Sequence, residues 1–329
     1  MALVYGVAAL ARPTFDVPFA EEKMAKAFAA LDAAGIQTVG PRALLFDADA
    51  AKAALDAIKA AGPIDVLLVL QITFTDATMT VRLADEVDVP LAIWAVPEPR
   101  IGGRLRLNAL CGLNLAVHAL QKAGKLANWL YADPDKTGLD DELRALSKPP
   151  ALAPSRAAML AGDADGDAAR VLDALQGIKI NVLGHHPDGF DTCAYDDAVL
   201  AKLGGVTVER TGLDEVFERA RAAAPMRVAS HHQTAAAALG GLEGVNQEQL
   251  DRSLRVFCAL EDVAAETGAK GLAVRCWPEM FTDYGCAACG PMAMMNEARV
   301  PAACEADVHG AYTQLMLQEL AQAPAWMTD

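Results

Sequence analysis

Short apolar runs of strand length recur along this chain, each separated from the next by an amphipathic segment of helical length. That alternation limits the folds open to it more than any single motif does. Residues 3–10 are apolar and read as a buried strand. Residues 18–34 carry Phe19, Met24, Ala27, Phe28 and Leu31 at helical spacing. The pattern continues with strands near 36–39, 64–70 and 90–96 and helices over 49–61, 77–86 and 108–122. Strands joined by helices pair in parallel, because a parallel crossover needs a long connection that a helix supplies. The alternation breaks at 147–155, Ser-Lys-Pro-Pro-Ala-Leu-Ala-Pro-Ser, where three prolines favour an extended linker. It resumes with strands at 178–183, 206–209 and 272–276 and helices over 195–202, 213–223 and 246–267. The expectation is α/β throughout: two Rossmann-like, doubly wound parallel-sheet domains, 1–148 and 149–329. Ligands in such sheets gather at the carboxyl ends of the strands.

A length of 329 residues suits two domains, and a hydrophobic fraction of 53% is ample for their cores. No apolar run reaches the roughly 18–20 residues of a membrane helix. The net charge of −15 argues against nucleic acid and against an anionic membrane surface, both of which call for clustered Lys and Arg. Seven cysteines, an odd number, and an apolar start without a basic leader predict reduced thiols in the cytoplasm. Cys286-x-x-Cys289 reads either as half of a metal or redox motif or as small residues in a packed segment.

The informative loops follow strands. Arg12-Pro-Thr-Phe-Asp16 is either a ligand loop or a helix entry capped by Asp16. Gln71-Ile-Thr-Phe-Thr-Asp76 offers an amide, hydroxyls and a carboxylate suited to a hydroxyl-rich ligand, or else a capping motif. Trp94 to Asn108 is a Pro/Gly-rich loop with Arg100, Arg104 and Arg106, expected to meet substrate or a neighbouring subunit. Gly184 to Cys193 carries His185-His186, and His231-His232 is a second such pair; adjacent histidines rarely ligate one metal together. Cys276-Trp-Pro-Glu279 and Cys304-Glu-Ala-Asp-Val-His-Gly310 place several carboxylates in one half-domain beside Trp, Cys and Gly. Lone carboxylates after strands are mostly caps; a group of them is a candidate metal site. No Walker-type loop or Gly-x-Ser-x-Gly elbow occurs, and the glycines at 240–244 do not follow a strand.

At these residues the chain resembles the L-fucose/L-arabinose isomerase superfamily, especially its sugar-isomerase branch. The resemblance is carried in order by Ala11 to Phe19, Gln71 to Asp76, Trp94 to Asn108, His186 to Tyr195, Cys276 to Glu279 and Cys304 to Asp307. It implies two Rossmann-like domains, then a largely β C-terminal domain that this chain is expected to lack for the most part. It implies a divalent ion, usually Mn2+, held by two carboxylates and a later histidine. By that pattern Glu305 and Asp329 are the ligands and the acid/base groups, with the histidine expected beyond residue 329. Arg12, Gln71, Trp94, His186, Trp277, Glu279 and His309 are the expected substrate-lining residues. The implied activity is aldose–ketose isomerisation through an enediol, where a divalent ion bridges the two oxygens and carboxylates shuttle the proton. The resemblance also implies a trimer or hexamer whose first domain contributes to a neighbour's site. The three-arginine loop leaves room for a sulfonate or phosphate on the sugar. A non-catalytic sugar-binding or regulatory protein, and a lyase using the same metal, remain open on the sequence.

Overall fold

A computed structural model describes residues 3–101, 105–150 and 165–327. The chain divides into two compact units, Met1–Ala157 and Ala158–Asp329; the expected linker falls partly outside the described residues.

The first unit is built on β1 (Val4–Leu10), α1 (Val17–Ala33), β2 (Gln37–Val39), β3 (Leu44–Leu45), α2 (Ala48–Ala61), β4 (Val66–Gln71), α3 (Thr78–Asp85), β5 (Leu91–Ala95), α4 (Ala109–Lys122), β6 (Ala127–Tyr131) and α5 (Asp140–Ala145). Its strands are parallel in the order β2-β1-β4-β5-β6, with β3 also pairing β1. All six residues of β4 are buried, as a strand covered by helices on both faces requires. One core packs Tyr5, Phe28, Leu68, Trp94 and Leu143 on one face of the sheet; the other packs Leu10, Ile58, Leu67, Ile93 and Leu113. Helix starts are set by side-chain caps: Asp16 accepts from the Phe19 amide and Asp47 from the Ala50 amide.

The second unit runs α6 (Asp165–Ala174), β7 (Lys179–Leu183), α7 (Asp197–Lys202), β8 (Thr207–Thr211), α8 (Leu213–Ala222), α9 (Pro225–Ala238), α10 (Gln247–Thr267), β9 (Gly271–Val274), α11 (Cys289–Glu297), β10 (Ala302–Ala303) and α12 (Val308–Ala321). Its four parallel strands lie in the order β10-β9-β7-β8. The chain steps from β7 to β8 on one side, then crosses back to β9 on the other. The carboxyl ends of β7 and β9 therefore flank the point where the winding reverses, the customary ligand crevice of an open parallel sheet. Asn246 caps α10, which ends at Gly268 in the left-handed conformation. Among the described residues no helix is long and apolar enough to cross a membrane.

Candidate active site

The loop that leaves β10 carries Glu305 and Ala306 in succession at φ +57° and +53°. Two consecutive non-glycine residues in the left-handed region are costly, about 1–2 kcal/mol each, and persist only where the surroundings hold them. Three contacts do so here. The Ala306 amide donates to the Val274 carbonyl at 3.0 Å, and the Asp307 amide to the Cys304 carbonyl at 3.0 Å. The Glu305 amide donates to the Cys276 sulfur at 3.4 Å. The turn thus sets the half-buried Glu305 against Cys276, just beyond β9, and the Cys276 thiol donates to Glu305 Oε1 at 3.6 Å.

Sulfur surrounds this carboxylate. The Cys304 side chain, burial and the Glu305 charge together hold the Cys276 thiol well above its ordinary range. Burial, then the Asp307 charge, pushes Cys193 up to about 12, with Glu305 and Cys304 adding to the effect. Cys304 Sγ lies 3.7 Å from Met327 Sδ. The site offers a hard carboxylate oxygen beside the Cys276 thiol, and that oxygen suits one ligand of a hard divalent cation. The second expected ligand, Asp329, lies outside the described residues.

The other expected residues of the second unit sort differently. Asp307 is the N-cap of α12, accepting from the Gly310 amide at 2.9 Å. Glu279 is gripped by Arg275 through two bonds of 2.6 Å, and that guanidinium lowers its pKa. The same Arg275 donates to the carbonyls of His185 and His186 at 3.0 and 3.1 Å. Arg275 and Glu279 therefore tie the β7 and β9 loops together across the reversal point, a structural duty for Glu279. Trp277 packs tilted on Phe190, ring centroids 6.3 Å apart, which joins the same two loops. His186 and His309 are half-buried, His309 in the first turn of α12.

In the first unit, Arg12 lies just beyond β1, its backbone amide donating to Thr73 Oγ1 at 2.8 Å and its guanidinium pairing with Asp76. That guanidinium also stands over the Phe74 ring. Gln71 and Trp94, expected to line a substrate site, are both interior in this structure. Gln71 is fully buried and its amide donates to the Thr73 carbonyl (2.6 Å) and Thr75 Oγ1 (2.9 Å), stitching its own loop. Trp94 is also fully buried, its indole N–H spent on the Ala132 carbonyl at 2.9 Å. Both side chains face the interior because the strands that bear them are covered on both faces. Asp16 caps α1, in line with the helix-entry reading of that loop, and also accepts from Arg106 Nε at 2.9 Å. Arg104 lies outside the described residues. Glu98 was not singled out by its sequence setting: it accepts from the amides of Arg106, Leu107 and Asn108 at 2.6, 2.8 and 2.9 Å and so folds the arginine loop. The Pro-Glu-Pro context was its available signal.

Comparison with known proteins converges on one family. Residues 6–145 match the model of the fucose/sulfoquinovose isomerase N-terminal domain. A sulfoquinovose isomerase of Alkalicoccus urumqiensis is 29% identical over 80% of this chain and 55% of its own length. Sulfoquinovose isomerases of Priestia megaterium and a Clostridium species are each 28% identical, over 95% and 96% of this chain and 65% and 66% of their own lengths. The chain thus spans between about half and two thirds of the curated relatives it matches. On these matches residues 6–145 are similar to the fucose/sulfoquinovose isomerase N-terminal domain, and the chain as a whole is similar to sulfoquinovose isomerases.

Proposed function

We propose that this chain supplies the two α/β units of a metal-dependent aldose–ketose isomerase whose substrate is sulfoquinovose or a closely related sulfonated sugar. The observation that carries the reading is the Glu305 carboxylate, held at the strand ends by a two-residue left-handed turn and a protonated thiol. The names of the relatives supply the substrate class. In this reading Glu305 and Asp329 are the carboxylate ligands of a Mn2+ ion or another hard divalent cation. Met327 packs against Cys304 beside the site. A divalent ion held there would supply Lewis-acid polarisation of the sugar oxygens. A carboxylate takes the proton from C2 and returns it to C1, while the hydroxyl proton moves in the same sense, from O2 to O1. The Cys276 thiol orients Glu305 for that exchange, and Trp277 on Phe190 offers an apolar wall that limits water. Arg12 and the arginine loop are the cationic candidates for the sulfonate. A trimer or hexamer and a reducing, cytoplasmic setting complete the proposal, the latter in keeping with seven free cysteines.

The test is isomerisation of sulfoquinovose in D2O with Mn2+, read by NMR as deuterium entry at the transferred position. Wild type should turn over only with the metal, and Glu305→Gln should fall by at least about a hundredfold. Turnover indifferent to chelator and to Glu305→Gln would sink the proposal.

A further inference from the structure

Helix α9 presents a puzzle of retention. Of its fourteen residues only Val228 is buried, and it carries no side-chain cap. What joins it to α10 is polar. Arg227 Nη2 reaches Glu261 Oε2 at 2.8 Å and the Cys258 carbonyl at 3.1 Å, while Nη1 reaches Asp262 at 2.6 Å. One turn further along α9, His231 Nε2 stands 3.0 Å from the same Glu261 Oε2. That nitrogen is sealed from solvent yet has no aligned hydrogen bond. Cys258 and Glu261, three apart on α10, share the face it looks onto, and Cys258 is fully buried. One ligand atom each from His231, Cys258 and Glu261 lies within 4.8 Å of the others.

We propose that His231, Cys258 and Glu261 form a second metal site, for a borderline-soft divalent cation such as Zn2+, that clips α9 onto α10. Zinc bonds of about 2.0–2.3 Å to N, O and S in a tetrahedron place neighbouring ligand atoms roughly 3.2–3.8 Å apart. The three side chains need only small rotations to reach that spacing. The charges suit a dication, whose binding displaces the proton that burial otherwise holds on the Cys258 thiol: as thiolate it joins Glu261 and Asp262 opposite the positive Arg227. An imidazole, a thiolate and a carboxylate are a zinc-type donor set, unlike the hard oxygen set at Glu305. The His231 ring is already steadied edge-on against Phe257, centroids 4.7 Å apart at 87°. His231 and Glu261 keep part of their surface exposed, 20% and 33%, so an ion has a way in from solvent. His232, its sequence neighbour, looks elsewhere, into the groove lined by Leu250 and Leu254.

The probe is Co2+, added alone to the purified chain, with Zn2+ as competitor. The expected result is a thiolate-to-cobalt charge-transfer band with the intense visible bands of a tetrahedral site, saturating at one equivalent of that spectral species and erased by Zn2+. Cys258→Ser should abolish the charge-transfer band, and Cys304→Ser, in the other sulfur cluster, should leave it intact. His231→Gln and Glu261→Gln, on half-exposed positions that spare the core, should each weaken cobalt binding at least about tenfold; they decide the matter if Cys258→Ser fails to fold. No charge-transfer band in wild type, or a band that survives His231→Gln and Glu261→Gln at full affinity or follows Cys304, would overturn the assignment. The outcome is independent of the isomerase reading, since no residue of this trio belongs to the Glu305 site.

Discussion

Replacing Gly112 by alanine pits helix propensity against packing, and the structure decides which wins. Gly112 lies within α4, where alanine is favoured over glycine by about 1 kcal/mol. A Cβ there, however, would sit 2.8 Å from Gln71 Nε2, 2.9 Å from Gln71 Cδ and 3.1 Å from the Thr75 amide nitrogen. Gln71 cannot swing aside cheaply. It is fully buried, and displacing its amide breaks the bonds to Thr73 and Thr75, about 1 kcal/mol each. Moving α4 instead opens the packing around Leu113 and Ala116, a cost of about 1–3 kcal/mol. The two routes cost about 2 and about 1–3 kcal/mol, and the propensity gain of about 1 kcal/mol leaves a net loss of about 1 kcal/mol. Gly290 in α11 is the control, for nothing lies within 4 Å of a Cβ built there. Gly290→Ala should be neutral or stabilise by up to about 1 kcal/mol. Urea unfolding followed by circular dichroism and tryptophan fluorescence separates the two variants. A Gly112→Ala chain at least as stable as its parent, beside a well-behaved Gly290→Ala, would refute the close approach of α4 to the Gln71 loop.

Arg275→Leu should destabilise the second unit by about 2–4 kcal/mol, since it leaves Glu279 and two loop carbonyls without their donor; a loss under about 0.5 kcal/mol in urea unfolding would contradict that role. Glu279 has a folded pKa below its unfolded one, so its stabilisation is full above the ordinary glutamate range and disappears as pH falls through the folded value. Glu279→Gln should therefore flatten the acid limb of the stability profile, and an unaltered limb would speak against it. Trp94→Phe should cost about 1–3 kcal/mol by orphaning the Ala132 carbonyl, with the KM for sugar unchanged; a raised KM at unchanged stability would return Trp94 to the substrate wall. Iodoacetamide at mild alkaline pH should label the exposed Cys289 first and spare Cys193 and Cys276 until unfolding; labelling of Cys276 at the rate of a free thiol would undo the protonated-sulfur picture.

The fold was largely legible because its strands are covered on both faces and so are nearly continuous apolar runs. β6 escaped notice for the opposite reason. It is an edge strand, Trp129 is 61% exposed, and Ala-Asn-Trp-Leu-Tyr has no strong alternation of apolar and polar residues. α9 escaped because a helix with one buried residue has no apolar stripe to read. At the sites, residue type was legible and side-chain direction was not. Gln71 and Trp94 sit where ligand residues belong along the chain, at or near strand ends, but β4 and β5 turn them into the core. The left-handed turn at Glu305 has no glycine to announce it; only the tertiary contacts of Ala306 and Cys276 hold it.

The loops at the strand ends also explain why one carboxylate stands apart. Asp16 and Asp76 answer arginines and helix amides, Glu98 answers three backbone amides, Glu279 answers Arg275, and Asp307 caps α12. Each is a counter-charge or cap whose removal would loosen a loop. Glu305 is set by the opposite arrangement: the backbone is forced into an unfavourable conformation to aim the side chain, and the donor on Oε1 is a thiol, a weak one. A strong cationic partner would lower the carboxylate's basicity and satisfy it before any ligand arrived. The thiol on Oε1 is a weak donor that positions the group. Backbone strain that aims Glu305, with the Cys276 thiol on its Oε1, is the arrangement expected of a group that must take a cation and a proton in turn.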